Sequence, residues 1–151
     1  MDINKNTLLG SKSLPEFSKI QAKDMYQAIS YLIKENKKII KNIESLRKVS
    51  WENFIYKIEE SDDKIAKVWA PIRHLNSVMN DPHIRKQYEK SLNLLTAHYG
   101  KVGQNKKLFS QYEMFYNENK TKLNANQKKL LTDILKGFKL SGVHLDSKKR
   151  K

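Results

Sequence analysis

QAKDMYQAISYLIKENKKIIKNIESLRKV, residues Gln21–Val49, carries an apolar side chain at nearly every third or fourth position. Met25, Ile29, Leu32, Ile39, Ile43 and Leu46 fall on one stripe of a helix, and Asn36 is the single polar interruption. Alternating gaps of three and four follow the helical period of 3.6, whereas a strand would alternate every second residue. The segment therefore predicts a long amphipathic helix. Its neighbours extend the pattern. Ser50 can cap a second helix, on which Trp51, Phe54, Ile58, Ser61, Ile65, Val68, Ile72, Leu75 and Met79 repeat the spacing. Pro71 falls inside that helix and deletes one backbone hydrogen bond, so a kink or break is expected near Lys67–Pro71.

Asp81-Pro82 is a strong start signal, an N-cap followed by proline at the first helical position. The third helix carries Ile84, Tyr88, Leu92, Leu95, Tyr99 and Val102 and should end around Gly100–Gly103. A shorter fourth helix holds Leu108, Phe109, Tyr112, Phe115 and Tyr116. Asn124 and Gln127 form a capping-box pattern that opens a fifth, with Leu130, Leu131, Ile134, Leu135 and Phe138 on its apolar face. Ser141-Gly142 ends it, glycine supplying the left-handed residue. The expectation is an all-α array of about five helices with short connections, without a repeat period. Residues 1–13 read as an irregular arm, 14–145 as the helical domain, and 146–151 as the basic start of a further helix that the chain does not complete.

Composition narrows the function classes. The chain has 151 residues, the size of one domain. It has no cysteine, which excludes disulfides, thiolate metal sites and cysteine nucleophiles. Together with the lack of a secretory signal or a long apolar run, this points to a soluble protein of a reducing, cytoplasmic compartment, with no membrane partner. Lys and Arg number 30 against 16 Asp and Glu, a formal charge of +14. Four of the 30 are Arg, and Arg is the residue whose planar fork grips phosphate in pairs. A Lys-, Asn- and Ile-rich composition fits an AT-rich genome, so the charge makes a nucleic-acid partner an alternative rather than the leading reading. Charge alone supports only salt-sensitive, non-specific attraction. The run Lys148-Lys149-Arg150-Lys151 reads as a solvated tail.

Catalytic constellations are missing from these residues. His74, His83, His98 and His144 sit on different predicted elements, and no His-Glu-x-x-His string occurs, so they read as surface or half-buried imidazoles rather than zinc ligands. Glu59, Glu60, Asp62 and Asp63 form the densest acidic cluster, and Glu59, Asp62 and Asp63 share a face. Glu60–Lys64 and Asp63–Lys67 are favourable i,i+4 pairs, so a solvated, ion-paired face is expected. Gly100-Lys101-Val102-Gly103 matches the loop of a KH domain, but no strands surround it, and a helix-ending glycine pair fits better. Tyr112, Phe115 and Tyr116 near Lys106, Lys107, Lys120 and Lys122 could stack bases, but at helical spacing they read as core. No catalytic, metal-binding or cofactor-binding residue is assigned.

Six strings in order carry a resemblance. They are Leu14-Pro15-Glu16-Phe17-Ser18-Lys19-Ile20, Ser50-Trp51-Glu52-Asn53, Pro71-Ile72-Arg73-His74-Leu75-Asn76-Ser77-Val78, Val102-Gly103-Gln104, Leu123-Asn124-Ala125-Asn126-Gln127-Lys128-Lys129 and Phe138-Lys139-Leu140-Ser141-Gly142. Together they resemble the N-terminal helical region of the oligopeptidase A branch of the thimet oligopeptidase family of zinc metallopeptidases. The resemblance implies an all-helical fold that forms part of one wall of a deep channel admitting short, unstructured peptides. It places zinc in a separate catalytic domain, on a His-Glu-x-x-His helix with a downstream Glu. None of those residues has a matching position here, so no catalytic or metal role carries over and the chain alone is expected to be inactive. Family members are several times longer, and the short chain is expected to be a truncated form, one part of a split enzyme or a fragment. The partners implied are the catalytic domain and, in the intact enzyme, short peptides. A helical docking protein with a bare apolar face is a third reading that overlaps the first.

Overall fold

The structure, a computed structural model, describes residues 5–10 and 14–145. Its helices are α1 (Thr7–Gly10), α2 (Ala22–Glu44), α3 (Tyr56–Val78), α4 (Pro82–Gly103), α5 (Lys106–Asn119) and α6 (Ala125–Leu140), and no strand occurs among the described residues. The five long helices stand where the apolar spacing predicts them, except that α2 ends at Glu44 rather than Val49, which leaves Leu46 beyond it and exposed. Residues 146–151, with the expected further helix and the basic run, lie outside the described residues.

Apart from α2, whose start has no side-chain cap, the long helical segments begin at short polar side chains that satisfy orphan N–H groups. Ser50 and Asn53 form a reciprocal box, with Ser50 Oγ accepting from the Asn53 N–H (3.1 Å) and Asn53 Oδ1 accepting from the Ser50 N–H (2.7 Å). Asn124 and Gln127 do the same at 2.9 and 3.0 Å. Asp81 Oδ1 accepts from His83 (2.7 Å) and Ile84 (3.1 Å), and Pro82 follows at N1. At the other end of α6, Gly142 takes φ 75°, the left-handed conformation glycine adopts without a Cβ penalty.

Two expectations need correction. First, the arm is not wholly irregular. Thr7–Gly10 is a helical turn, Leu8 is buried in the core, and Asn6 Nδ2 donates to the Asp24 carbonyl at 3.0 Å. The segment is too short to show helical periodicity, and only its docking against α2 orders it. Second, of the kink or break expected at Pro71, the break does not occur, since α3 is continuous from Tyr56 to Val78. Val68, Pro71, Ile72 and Leu75 are all buried, so packing on both sides of the proline outweighs one missing hydrogen bond. The irregularity lies earlier, in a π-helical turn at Trp51–Ile55 that buries Phe54 and Ile55.

The core has two apolar clusters. The first joins α1, the first half of α2, the second half of α3 and α4, around Met25, Ile29, Ile33, Ile65, Ile72 and Leu95. The second joins the end of α2, the π-helical turn, α5 and α6, around Ile43, Phe54, Tyr112, Phe115, Leu131 and Phe138. Ring contacts hold the second: Phe54 lies 4.5 Å from Tyr112, and Phe138 lies 5.7 Å from both Tyr112 and Phe109. Tyr112 and Phe115 are thus core, as their spacing suggested, and cannot stack a nucleobase. Trp69 packs on the first cluster, stacked on Tyr88 at 5.0 Å, and Trp51 packs on the second.

α2 and α4 run parallel. Lys90 Nζ lies 6.0 Å from the Tyr26 ring centroid, Asn36 meets His98 at 2.9 Å, and Glu44 Oε1 accepts from Asn105 Nδ2 at 2.5 Å. The contacts advance together along both helices. Where α4 ends, a Cβ on Gly103 would come within 2.6 Å of Ser141 Oγ and 2.9 Å of Ser141 Cβ. Glycine lets the end of α4 approach the end of α6. The Gly100–Gly103 segment is helical, not a strand-flanked loop.

Candidate functional site

A buried polar belt lies between the two apolar clusters. On α2, Asn36 sits between Ile33 of the first cluster and Ile40 of the second; on α3, Ser61 sits between Ile65 and Ile58. His98 occupies the matching level of α4. Asn36 is 1% exposed and His98 3%, so polar groups there must find partners. Asn36 Nδ2 donates to Ser61 Oγ (2.9 Å) and to Asp62 Oδ1 (3.0 Å), and Tyr99 Oη donates to the same Asp62 oxygen (3.3 Å). The carboxylate accepts only, so the Asn36 amide nitrogen faces it and the amide oxygen faces His98. His98 Nε2 must then carry the hydrogen it donates at 2.9 Å. Burial, helped by the nearby charge of Lys37, holds the His98 pKa down at about 4, and burial pushes Asp62 upward.

His98 corrects the sequence reading of surface or half-buried imidazoles; His74, His83 and His144 are exposed. The periodicity did hold a signal. Asn36 and Ser61 occupy core positions of their stripes, and a polar residue on a core stripe asks for a partner. The acidic cluster also divides. Asp63 pairs with Lys67 (2.5 Å) and Glu60 with Lys64 (3.5 Å), as the spacing predicts, while Asp62 turns inward to the belt. Burial and then the Asp62 charge raise the half-buried Glu59.

A cleft of about 1000 Å³ opens between the N-terminal segment and helices α2 and α3. Leu8, Phe17, Ile20, Leu32, Val68 and Pro71 line it, with Lys64 and Lys67 at its edge. Both lysines are already paired with carboxylates of their own helix, so the cleft suits an apolar side chain better than a fixed charge. The hydroxyls of the cleft and the belt are engaged in structural hydrogen bonds: Tyr99 donates to Asp62, Thr7 to the Lys19 carbonyl, and Ser61 accepts from Asn36. Among the described residues, no three His or carboxylate side chains gather where they could hold a metal ion.

The neurolysin/thimet oligopeptidase N-terminal domain family matches residues 29–150. This chain belongs to that family. Three curated relatives, each named oligopeptidase A, extend the match. The Haemophilus influenzae protein is 34% identical over 96% of this chain, and the chain covers 21% of it. The Salmonella typhimurium protein is 34% identical and the Escherichia coli protein 32%, each over 96% of this chain and 22% of the relative. The chain thus spans about a fifth of the length of the relatives it matches. The zinc the family implies finds no home among the described residues: His98 is committed to Asn36, and the other imidazoles are exposed on separate elements. No helix among the described residues is long and apolar enough to cross a membrane.

Proposed function

We propose that this chain forms part of the peptide-channel wall of an oligopeptidase A-like zinc metallopeptidase of the cytoplasm and does not itself cleave peptide bonds. The match of residues 29–150 to the N-terminal domain family carries the reading. Hydrolysis needs a polarised carbonyl and an activated water, and among the described residues no cluster of His and carboxylate side chains stands ready to hold the metal that would supply them. A helical wall acts by geometry. It narrows access to the catalytic centre, admits extended peptides and offers them apolar contacts, for which the cleft beneath Phe17 has the lining. Its rigidity comes from the belt and the two clusters rather than from any site residue.

Two measurements test the proposal. Purified chain mixed with a fluorogenic short peptide and zinc should show no turnover; clear turnover would overturn the non-catalytic role. The chain grafted in place of the matching segment of Escherichia coli oligopeptidase A should keep cleavage of short peptides and rejection of folded proteins. A folded, zinc-loaded chimera that loses either property would remove the wall function.

A further inference from the structure

The outer face of α2 lies opposite its core stripe. Lys23, Lys34 and Lys41 line it, and Lys37 leans toward α4, where its charge is felt at His98. The parallel register places Lys90 beside Tyr26, and Lys101 follows one turn beyond His98 on α4. All six lysines are exposed, and none forms an ion pair within the described residues. Of the carboxylates on the two helices, Asp24, Glu35, Glu44 and Glu89, none forms an ion pair with these six lysines among the described residues. Glu35 takes Lys38 on the other flank of α2, Glu44 takes Asn105, and Glu89 is rotated about 100° from Lys90 around α4. The result is a two-helix cationic ridge about 27 Å long from Lys23 to Lys41, at about 1.5 Å per residue. Net charge says only that the chain is basic; the fold is what collects unpaired lysines from two helices on one side.

We propose that this ridge binds the phosphodiester backbone of single-stranded nucleic acid without sequence preference. Lysine is a point charge that neutralises phosphate, and the ridge has no arginine fork to read bases. Tyr26, 36% exposed beside Lys90, offers one ring on which a base can stack. An anionic membrane would need apolar side chains to insert, and Tyr26 is the only large one on this face. The inference does not depend on the channel-wall reading.

Fluorescence anisotropy of a labelled oligouridylate against the full chain, over a salt series, tests it. Binding should weaken steeply with salt. The triple variant Lys34→Glu, Lys41→Glu, Lys90→Glu should lose at least about tenfold in affinity and flatten the log–log salt slope by about 2. Lys122→Glu, Lys136→Glu, Lys139→Glu, an equal charge change away from the ridge, should lose far less. Equal losses in both triples would mean bulk charge alone and overturn the proposal, as would no binding at low salt. Glutamine versions at the same positions, checked by circular dichroism for native helicity, should keep the same order; a reversed order would also overturn it. If the ridge governs capture by phosphatidylserine vesicles while oligouridylate stays unbound, the occupant is a membrane and the nucleic-acid assignment fails.

Discussion

Asn36 ties three helices together with one amide. Replacing it with Ala leaves the His98 Nε2–H and the Ser61 hydroxyl without their partner in a closed interior. Asn36→Ala should therefore destabilise by about 2–4 kcal/mol, read as a lower urea midpoint. A smaller effect than that of a surface alanine would show that water replaces the amide. His98 makes stability depend on pH. Its folded pKa of about 4 lies below the ordinary 6.5, so the unfolded chain binds the extra proton first. Its contribution is complete above pH 6.5 and falls as pH drops toward 4. Asp62 and Glu59, raised by burial, act in the opposite direction in the acid range and soften the fall. Urea melts at pH 7 and pH 4.5 should differ by about 2 kcal/mol, and His98→Gln should reduce that difference. An unchanged difference in the variant would assign the pH dependence elsewhere.

Caps and one close approach govern the elements. Asn124→Ala removes half of a reciprocal box at the start of α6 and should cost about 1 kcal/mol. Its signature is faster amide exchange at Gln127 and Lys128, whose N–H groups lie in the first turn. Gly103→Ala inserts a methyl within 2.6 Å of Ser141 Oγ, and α4 and α6 must separate or Ser141 must move. A loss of about 1–3 kcal/mol is expected, with most of it recovered in Gly103→Ala/Ser141→Gly. Additive losses would show that the two ends do not meet. Caps were legible in the sequence because they are local: a polar side chain bonds an N–H two or three residues on. The Gly103–Ser141 approach was not, since it joins residues far apart in the chain, and the glycine read simply as a helix end.

At the scale of the molecule, α2, α3 and α4 pass through both apolar clusters and the belt between them. The clusters should therefore melt as one unit. Trp69 reports on the first and Trp51 on the second, so Trp51→Phe and Trp69→Phe variants each leave one probe. The two fluorescence transitions should coincide within each solvent condition. Leu131→Ala, a cavity in the second cluster, should destabilise by about 2–5 kcal/mol and lower the Trp69 transition as well. A Trp69 transition that stays in place would mean that the belt separates two independent units.

The all-α class, the five long helices and the caps at Ser50, Asp81, Asn124 and Gly142 followed from sequence, because helical period and capping depend on residues within one turn of each other. Tertiary structure alone decided the rest. Pro71 stays inside α3 because the side chains around it are buried, and Thr7–Gly10 is ordered because Leu8 has a core to enter. His98 is buried and neutral, and lysines of two helices form one ridge, because parallel packing brings together side chains some sixty residues apart, a distance no local pattern encodes.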